Sequence, residues 1–222
     1  MELFSLLFVL LLSVTHNLFS AIPSSVLALS SADQSSMLAC HNAYRSTLAK
    51  GTAQNVTGTM PAGSNLIKQK YGTGIESVAQ SWANQCTMTH SSASQRNDMG
   101  ENLFMTSSST ISDADVLAQA CDSWWSELKQ HGIQASLVLD STEFNKGIGH
   151  WSQLAWAKTA QIGCAVARCP SAEWKTFVVC NYNATGNYLG QVVYSKGSAC
   201  TGCSAYGSGA SCDSTSGLCM LP

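Results

Sequence analysis

His150 is the residue of this sequence whose setting most suggests chemistry. It lies in the segment GHWSQLAWAKTAQIGC, residues 149–164, directly after a glycine and two residues before Ser152. An imidazole in a protein serves as a general base, as a metal ligand or as a buried structural group that hydrogen-bonds its neighbours. This segment alone leaves the three roles open, so the elements that position His150 must be identified first.

The first 28 residues and the cysteines predict a secreted protein. Residues 3–14 form an almost unbroken apolar run, too short to cross a bilayer as a helix, and we interpret residues 1–20 as a signal peptide. Cleavage sites lie after Ser20, after Ala21 and as late as Ala28. All ten cysteines follow this leader, and their even number in a secretory context predicts five disulfides. We expect an extracellular product with no membrane span.

Charge is sparse, which excludes several classes of partner. Charged residues make up 11% of the chain and the formal net charge is −2. No basic stripe is present to bind nucleic acid or an anionic membrane surface. Two N-glycosylation sequons, at Asn55 and Asn183, fit a secreted glycoprotein.

Three segments have the apolar spacing of amphipathic helices. The first begins at Ser31 and ends before Gly51. The second has apolar side chains at positions 75, 78, 79, 82, 83 and 86. The third begins with a capping box at Ser112 and ends at Gly132. Residues 51–71, rich in small and polar side chains, are predicted to form a long loop.

Beyond residue 160 the apolar residues alternate, which predicts a β-hairpin. A turn centred on Ala172 places Cys164 opposite Cys180, where a cross-strand disulfide is feasible. Further strands are predicted at residues 191–195 and near Glu101. Mixed helices and antiparallel strands indicate the α+β class.

Residues 197–222 differ from the rest, because four cysteines lie there among Gly, Ser, Thr and Ala. We predict a hinge-like extension held by disulfides instead of an apolar core. Such disulfides would be exposed and weakly buttressed, so exchange between two chains would give a homodimer. The Cys200-x-x-Cys203 pair lacks a strand-then-helix setting and is interpreted as structural.

Two long motifs resemble the signatures of the CAP superfamily, also called SCP/TAPS. Residues 149–164 are similar to the first signature, and FVVCNYNATGNYLGQVVY, residues 177–194, is similar to the second. Shorter matches are HNAYR at 41–45, WANQCTMTHS at 82–91 and GENL at 100–103. Ala184 stands where the second signature usually has proline, which leaves the Asn183 sequon open. The chain most resembles single-domain nematode activation-associated secreted proteins.

This resemblance implies an α-β-α sandwich, the CAP/SCP fold, over residues 29–196, followed by the disulfide-rich extension. It also implies the pairing of the cysteines within the sandwich. In the tail, we expect the remaining four to pair with one another. The expected disulfides are Cys40–Cys121, Cys86–Cys169, Cys164–Cys180, Cys200–Cys212 and Cys203–Cys219.

The resemblance places four residues, His90, Glu101, Glu127 and His150, around a central cleft. His90 and His150 would be the nitrogen ligands of Zn²⁺ or another divalent cation. A plainer interpretation is that the glutamates pair with the histidines only to satisfy buried polar groups. His41 and Arg45, one turn apart on the first helix, are expected to be structural or to lie at the surface.

The resemblance leaves three functions to compare. We favour a non-enzymatic effector or antigen in host–parasite interaction or immune modulation, acting on an unidentified host protein or cell surface. A lipid or sterol carrier is the alternative, although the segment LVLDSTEFNKGIG, residues 137–149, has one aromatic residue where sterol-binding relatives have several. The second alternative is a metal-dependent peptidase, or one with Ser152 as nucleophile, His150 as base and Glu127 as orienting group. The motifs G-x-S-x-G and H-E-x-x-H are absent from the sequence, which argues against it.

Overall fold

The computed structural model of the protein describes residues 28–222, so the predicted signal peptide lies outside the described residues. Short 3₁₀ helices also occur at Ala93–Arg96 and Cys203–Tyr206. In chain order, the helices and strands are α1 (Ser31–Ala49), β1 (Lys70–Tyr71), α2 (Thr73–Ala83), β2 (Gly100–Thr106), α3 (Asp113–His131), β3 (Val138–Leu139), α4 (Ser141–Phe144), α5 (Gly149–Ala155), β4 (Gln161–Arg168), β5 (Thr176–Asn183), β6 (Gln191–Val192), β7 (Ser211–Asp213) and β8 (Leu218–Met220).

Helices α1 and α3 begin and end where their sequence signals predict, whereas α2 ends at Ala83, before the predicted position 86. Ser30 caps α1 by accepting a hydrogen bond from the Asp33 backbone N–H, and Ser112 caps α3 through that of Asp115. Gly132 ends α3 with a φ of 69°, a conformation that favours glycine. None of these helices, nor any other among residues 28–222, has the length and apolarity needed to cross a bilayer.

The central sheet has four strands in the order β1-β4-β5-β2. Strands β4 and β5 form the predicted hairpin, with Cys164 opposite Cys180 and Val166 opposite Val178, which confirms the predicted register. Strand β2 pairs antiparallel with the other edge of β5, and β1 pairs parallel with β4. The predicted strand at 191–195 is shorter than expected, because only Gln191–Val192 pairs, and it pairs with β3 outside this sheet.

Helices cover both faces of the sheet, which confirms the α-β-α sandwich. One face carries Ile162, Cys164 and Val178 and packs against α1, α3 and α5. The opposite face carries Ala165, Phe177 and Val179 and packs against α2. Because side chains alternate along a strand, a single hairpin supplies apolar groups to both layers. The five disulfides of the structure are Cys40–Cys121, Cys86–Cys169, Cys164–Cys180, Cys200–Cys212 and Cys203–Cys219.

Arg45 on α1 is fully buried, so its alternative placement at the surface is wrong. Its guanidinium donates five hydrogen bonds, with lengths of 2.7–3.0 Å, and no carboxylate receives any of them. Burial lowers the pKa of Arg45 to about 9. The side chain therefore joins α1 to the end of α5 and to the long loop through backbone oxygens alone. The acceptors are the carbonyls of Ile67, Leu154, Trp156 and Ala157.

The C-terminal extension packs closely on the sandwich, which corrects the expectation of weakly buttressed tail disulfides. Cys203, Cys219 and Leu218 are buried. The Cys219 backbone N–H donates to the Leu66 carbonyl at 2.8 Å, and its carbonyl accepts from Lys68 N–H at 2.7 Å. Only the Cys200–Cys212 bond retains exposure, since Cys212 is exposed and Cys200 half-buried. The sequence could not predict this packing, because the backbone pairing of Cys219 with the long loop produces no periodic pattern of apolar residues.

Candidate functional site

Glu101 and His90 form the first of two histidine–carboxylate pairs. Glu101 is the second residue of β2 and lies opposite Asn181 of β5. Its carboxylate is buried and lies 2.9 Å from His90 Nδ1. It also accepts the backbone N–H of Ser91 at 2.9 Å and the Ser91 hydroxyl at 2.7 Å. A buried strand thus holds a side chain of the irregular segment between α2 and β2.

These donors keep Glu101 ionised. Burial alone would raise the pKa of its carboxyl group. The hydrogen bonds from His90 and Ser91 outweigh that effect, so the pKa of Glu101 is lower than its ordinary value. Because an ionised carboxylate only accepts hydrogen bonds, His90 Nδ1 carries the proton in this pair. The bond to Glu101 uses Nδ1, so the Nε2 edge of the ring stays available for another partner.

Glu127 and His150 form the second pair. Glu127 lies on α3, one turn before His131, and its Oε1 is 2.6 Å from Nδ1 of His150, the second residue of α5. Its Oε2 accepts the backbone N–H of Trp151 at 2.9 Å. Helix α5 has no side-chain cap of its own, so Glu127 satisfies a free N–H of its first turn. One carboxylate therefore fixes both the helix start and the imidazole.

A chain of buried polar groups is hydrogen-bonded to the backbone carbonyl of His150. Asn102 Nδ2 donates to the His150 carbonyl at 3.0 Å and to the Tyr182 hydroxyl at 3.2 Å. Tyr182 in turn lies 3.0 Å from His41 Nε2, and His41 Nδ1 lies 3.0 Å from the Met37 carbonyl. Because a carbonyl only accepts, Nδ1 of His41 is protonated and Tyr182 donates to Nε2.

His41 is the neutral end of this chain. Its ring is fully buried, and burial lowers its pKa to about 4. His41 is therefore structural, and its alternative placement at the surface is wrong.

The Trp124 ring is stacked on His150, with ring centroids 6.1 Å apart. The indole N–H of Trp124 donates to the Leu103 carbonyl at 2.9 Å, which fixes the orientation of the indole ring against His150.

All four residues predicted for the cleft line one open cavity of about 270 Å³. Neither His90 Nε2 nor His150 Nε2 has a hydrogen-bond partner among residues 28–222. Asn102 and Asn187 also lie in this wall, which the motifs did not predict, although Asn102 belongs to the GENL motif at residues 100–103. The cavity is lined by His90, Glu101, Asn102, Glu127, Phe144, Gly147, Gly149, His150 and Asn187.

Ser152 is not paired with His150. Its side chain is fully buried, and the hydroxyl lies 2.6 Å from Asn187 Oδ1 and 3.2 Å from the Gly149 carbonyl. Asn187 Nδ2 also donates to that carbonyl at 2.9 Å. A serine nucleophile requires a hydrogen bond to its base, and here the serine instead joins α5 to the loop after β5.

The donors of the cleft suit an open cation site with few protein ligands. Zinc binds neutral imidazole nitrogen, and a glutamate on the second ring nitrogen orients such ligands. Both histidines have this arrangement. No cluster of three or more His, Cys, Asp or Glu ligands occurs within residues 28–222. The two Nε2 atoms are the ring positions without a protein partner among residues 28–222, and two imidazoles do not make a closed four-ligand structural site.

Comparison with known sequences places these features in a family. The family described as "CAP: Cysteine-rich secretory protein family" matches residues 38–182. The chain is 37% identical over 189 residues to Ancylostoma secreted protein of Ancylostoma caninum, which covers 83% of this chain and 43% of that protein. It is 34% identical over 175 residues to Venom allergen 5 of Microctonus hyperodae, with coverage of 76% and 74%. The chain thus spans less than half the length of the Ancylostoma protein.

Solved structures show the same fold. The crystal structure of NaASP2 with Zn²⁺ has a TM-score of 0.81 and 33% identity, over 89% of this chain and 98% of that chain. The crystal structure of Na-ASP-1 has a TM-score of 0.81 and 35% identity, over 88% of this chain and 48% of that chain. The first of these proteins was crystallised with zinc.

Proposed function

This chain belongs to the CAP, or cysteine-rich secretory protein, family, and we propose that it is an extracellular effector whose cleft binds a divalent cation through His90 and His150. Five disulfides and the similarity to proteins named as secreted support an extracellular location. The similarity to nematode secreted proteins supports a role in host–parasite interaction.

The observation that carries the cation proposal is the arrangement that His90 and His150 have in common. Each ring has its Nδ1 bonded to a glutamate, and each lines the same cavity with Nε2 unpartnered among the described residues. When bound, a divalent cation supplies positive charge and open coordination positions for an oxygen ligand. Glu101 and Glu127 fix the rings, and Trp124 limits rotation of His150.

A binding role without turnover is supported by the engagement of the candidate nucleophiles in other contacts. The hydroxyl of Ser152 is engaged by Asn187, and all ten cysteines are in disulfides. Neither a serine nor a cysteine nucleophile is thus paired with His150. We infer that the cleft holds a ligand and that the protein acts by binding a host protein or cell surface.

Calorimetric titration with Zn²⁺ at pH 7.5 tests the cation proposal. We expect micromolar binding that disappears in the His90→Ala/His150→Ala double variant and persists in His131→Ala, an exposed histidine outside the cavity lining. Retention of binding by the double variant would refute the proposed ligands, and so would an absence of binding to the native protein.

The effector role needs a separate experiment on host cells. Labelled protein should attach saturably and be displaced by an excess of unlabelled protein. We expect His150→Ala to attach equally well if recognition uses the outer surface, whereas loss with the fold intact would make the cleft the recognition surface. Only non-saturable attachment would contradict an effector that acts through a receptor.

A lipid carrier is the second candidate, and one feature favours it. An apolar groove between α1 and α3 is lined by Met37, Cys40 and Leu117. Its volume of about 80 Å³ is small beside the roughly 300–1,000 Å³ of typical ligand sites. The Cys40–Cys121 bond also ties the two helices together. We therefore expect solvent extracts of the purified protein to contain no stoichiometric lipid by mass spectrometry, and such a lipid would favour the carrier.

A further inference from the structure

The backbone nitrogen of Leu29 is bonded to a buried carboxylate. It donates to Glu76 Oε1 at 3.0 Å, and Gln34 Nε2 donates to Glu76 Oε2 at 2.8 Å. Gln34 Nε2 also donates to the Leu29 carbonyl at 3.2 Å. The Leu29 side chain is buried in the core cluster shared by α1, α3 and the sheet. Residue 29 is therefore fixed through its nitrogen, its carbonyl and its side chain, whereas Ala28 before it is exposed.

Glu76 differs from the other buried acidic residues in lacking a cation. Three acidic residues are buried in the described part of the chain, namely Glu76, Glu101 and Glu143. Glu101 lies against His90, and Glu143 lies 2.8 Å from Lys146 Nζ. No Lys, Arg or His of residues 28–222 lies within ion-pair distance of Glu76. Buried charges are normally paired, so a cation is expected at this carboxylate.

The sequence just before Leu29 suggests the source of that cation. Val26-Leu27-Ala28 has a short aliphatic residue at the first position and a small residue at the third, which is close to the A-x-A-like pattern of a secretory cleavage site. Cleavage after Ala28 would convert the neutral Leu29 amide into an α-ammonium group at the place where it already contacts Glu76. An α-amino group has a pKa of roughly 7.7–8.0, and an adjacent carboxylate favours its protonated form.

We propose that Leu29 is the mature N-terminus and that its α-ammonium group forms an ion pair with Glu76. A secretory-pathway peptidase adds one water across the Ala28–Leu29 peptide bond, so that Ala28 leaves as a carboxylate and Leu29 gains an amine that takes up a proton. An open hollow of about 210 Å³ borders Ala28 and Glu76 and is also lined by Ser77 and Gln80. Water in this hollow solvates the ammonium hydrogens that Glu76 does not bind. Removal of the leader thereby supplies the positive charge that the buried Glu76 carboxylate lacks among residues 28–222 of the uncut chain.

N-terminal sequencing and intact mass of the protein secreted from eukaryotic cells test the cleavage site. The full chain with its own leader is expressed, and we expect the sequence Leu-Ser-Ser-Ala-Asp, starting at residue 29. A product that starts at Ala21, Ile22 or any other residue would overturn the proposal. Because the readout is the covalent end of the chain, it does not depend on the stability of any variant.

A double-mutant cycle tests the ion pair itself. Glu76→Gln is compared in the chain that starts at Leu29 and in one whose replacement leader is cut one residue earlier, so that Ala28 carries the ammonium. We expect the substitution to lower the folding equilibrium constant about tenfold in the first chain and clearly less in the second. Glu173→Gln, at an exposed residue, provides the baseline. Equal losses in the two chains would overturn the ion pair.

Discussion

Glu127 holds the start of α5 at two points, because its Oε1 lies 2.6 Å from the His150 imidazole Nδ1 while its Oε2 accepts the Trp151 backbone N–H at 2.9 Å. The side chain of His150 is 36% exposed, yet its ring is oriented by a carboxylate that belongs to another helix. The half-buried ring therefore has a fixed orientation, which lowers the loss of side-chain freedom that ligand binding at its free edge would cost.

Glu127→Gln should weaken zinc binding with little effect on the fold. The amide oxygen preserves one acceptor, but the negative charge that faces the His150 ring is lost. Loss of such an outer partner typically costs about 10- to 100-fold in metal affinity. Calorimetry measures the affinity, with circular dichroism as the check on folding and Glu173→Gln as an exposed control. An unchanged affinity would remove Glu127 from the site.

Acid should destabilise the protein through His41. Its folded-state pKa of about 4 lies below the ordinary 6.5, because burial disfavours the charged ring. Between these two pH values the unfolded chain binds a proton that the folded chain does not. The contribution is therefore complete above pH 6.5 and is lost as the pH falls towards 4, at up to about 1.4 kcal/mol per pH unit.

The His41 effect is measured by urea unfolding between pH 4 and 6.5. The variant His41→Gln should show a smaller decline in the free energy of unfolding over this interval than the native protein. His131→Gln, at an exposed histidine, should keep the native slope. Identical slopes for the native protein and His41→Gln would show that His41 does not carry the acid sensitivity.

Tyr182→Phe should cost about 1–3 kcal/mol in the free energy of unfolding. Removal of the hydroxyl leaves His41 Nε2 and one contact of Asn102 unsatisfied in a buried site. Tyr188→Phe is the matched control, since Tyr188 is exposed, and it should change stability by less than about 0.5 kcal/mol. Urea denaturation of both variants decides the point, and equal small effects would show that the buried chain contributes nothing.

Glycosylation should be found at Asn183 and not at Asn55. Asn183 is exposed at the end of β5, whereas Asn55 is half-buried and its Nδ2 donates to the Ile133 carbonyl at 3.1 Å. Digestion of the secreted protein with an N-glycosidase should shift its mass. Asn183→Gln should abolish that shift and Asn55→Gln should not. A glycan that survives in Asn183→Gln would contradict the assignment.

The homodimer expected from exchange of tail disulfides is less favoured by the structure than by the sequence. Cys203 and Cys219 are buried, and Cys219 is hydrogen-bonded to the Leu66 backbone, so a thiolate from a second chain has little access to their bond. Non-reducing electrophoresis should therefore show a monomer. A dimer that is lost on reduction would point to the exposed Cys200–Cys212 bond.

Periodicity predicted the elements that are long enough to show it. Helices α1, α2 and α3 and the β4–β5 hairpin repeat an apolar pattern over several turns or alternations, and packing of those faces decides the layers. Helix α5 has seven residues and begins with Gly149, so its pattern is too short to reveal a helix. The strands β1, β3 and β6 have two residues each and depend on neighbours distant in sequence.

The cleft was predictable only through the motifs. His90 lies in an irregular segment and Glu101 starts a strand, so no shared spacing links either of them to Glu127 on α3. The chain from His41 through Tyr182 to Asn102 joins positions separated by 141 and 80 residues. Such contacts arise from packing of the layers, which a local pattern does not encode. The predicted surface alternative for Arg45 was wrong because backbone carbonyls, and not an acidic side chain, satisfy its charge.

The measurement that tests the proposed cation site most directly is anomalous diffraction at the zinc edge from crystals grown with Zn²⁺. We expect one peak in the cleft, at about 2.0–2.1 Å from Nε2 of both His90 and His150. The peak should be absent in crystals of the His90→Ala/His150→Ala variant. A cleft without a peak, or a peak bound only by carboxylate oxygens elsewhere, would contradict the site and leave the two pairs as structural contacts.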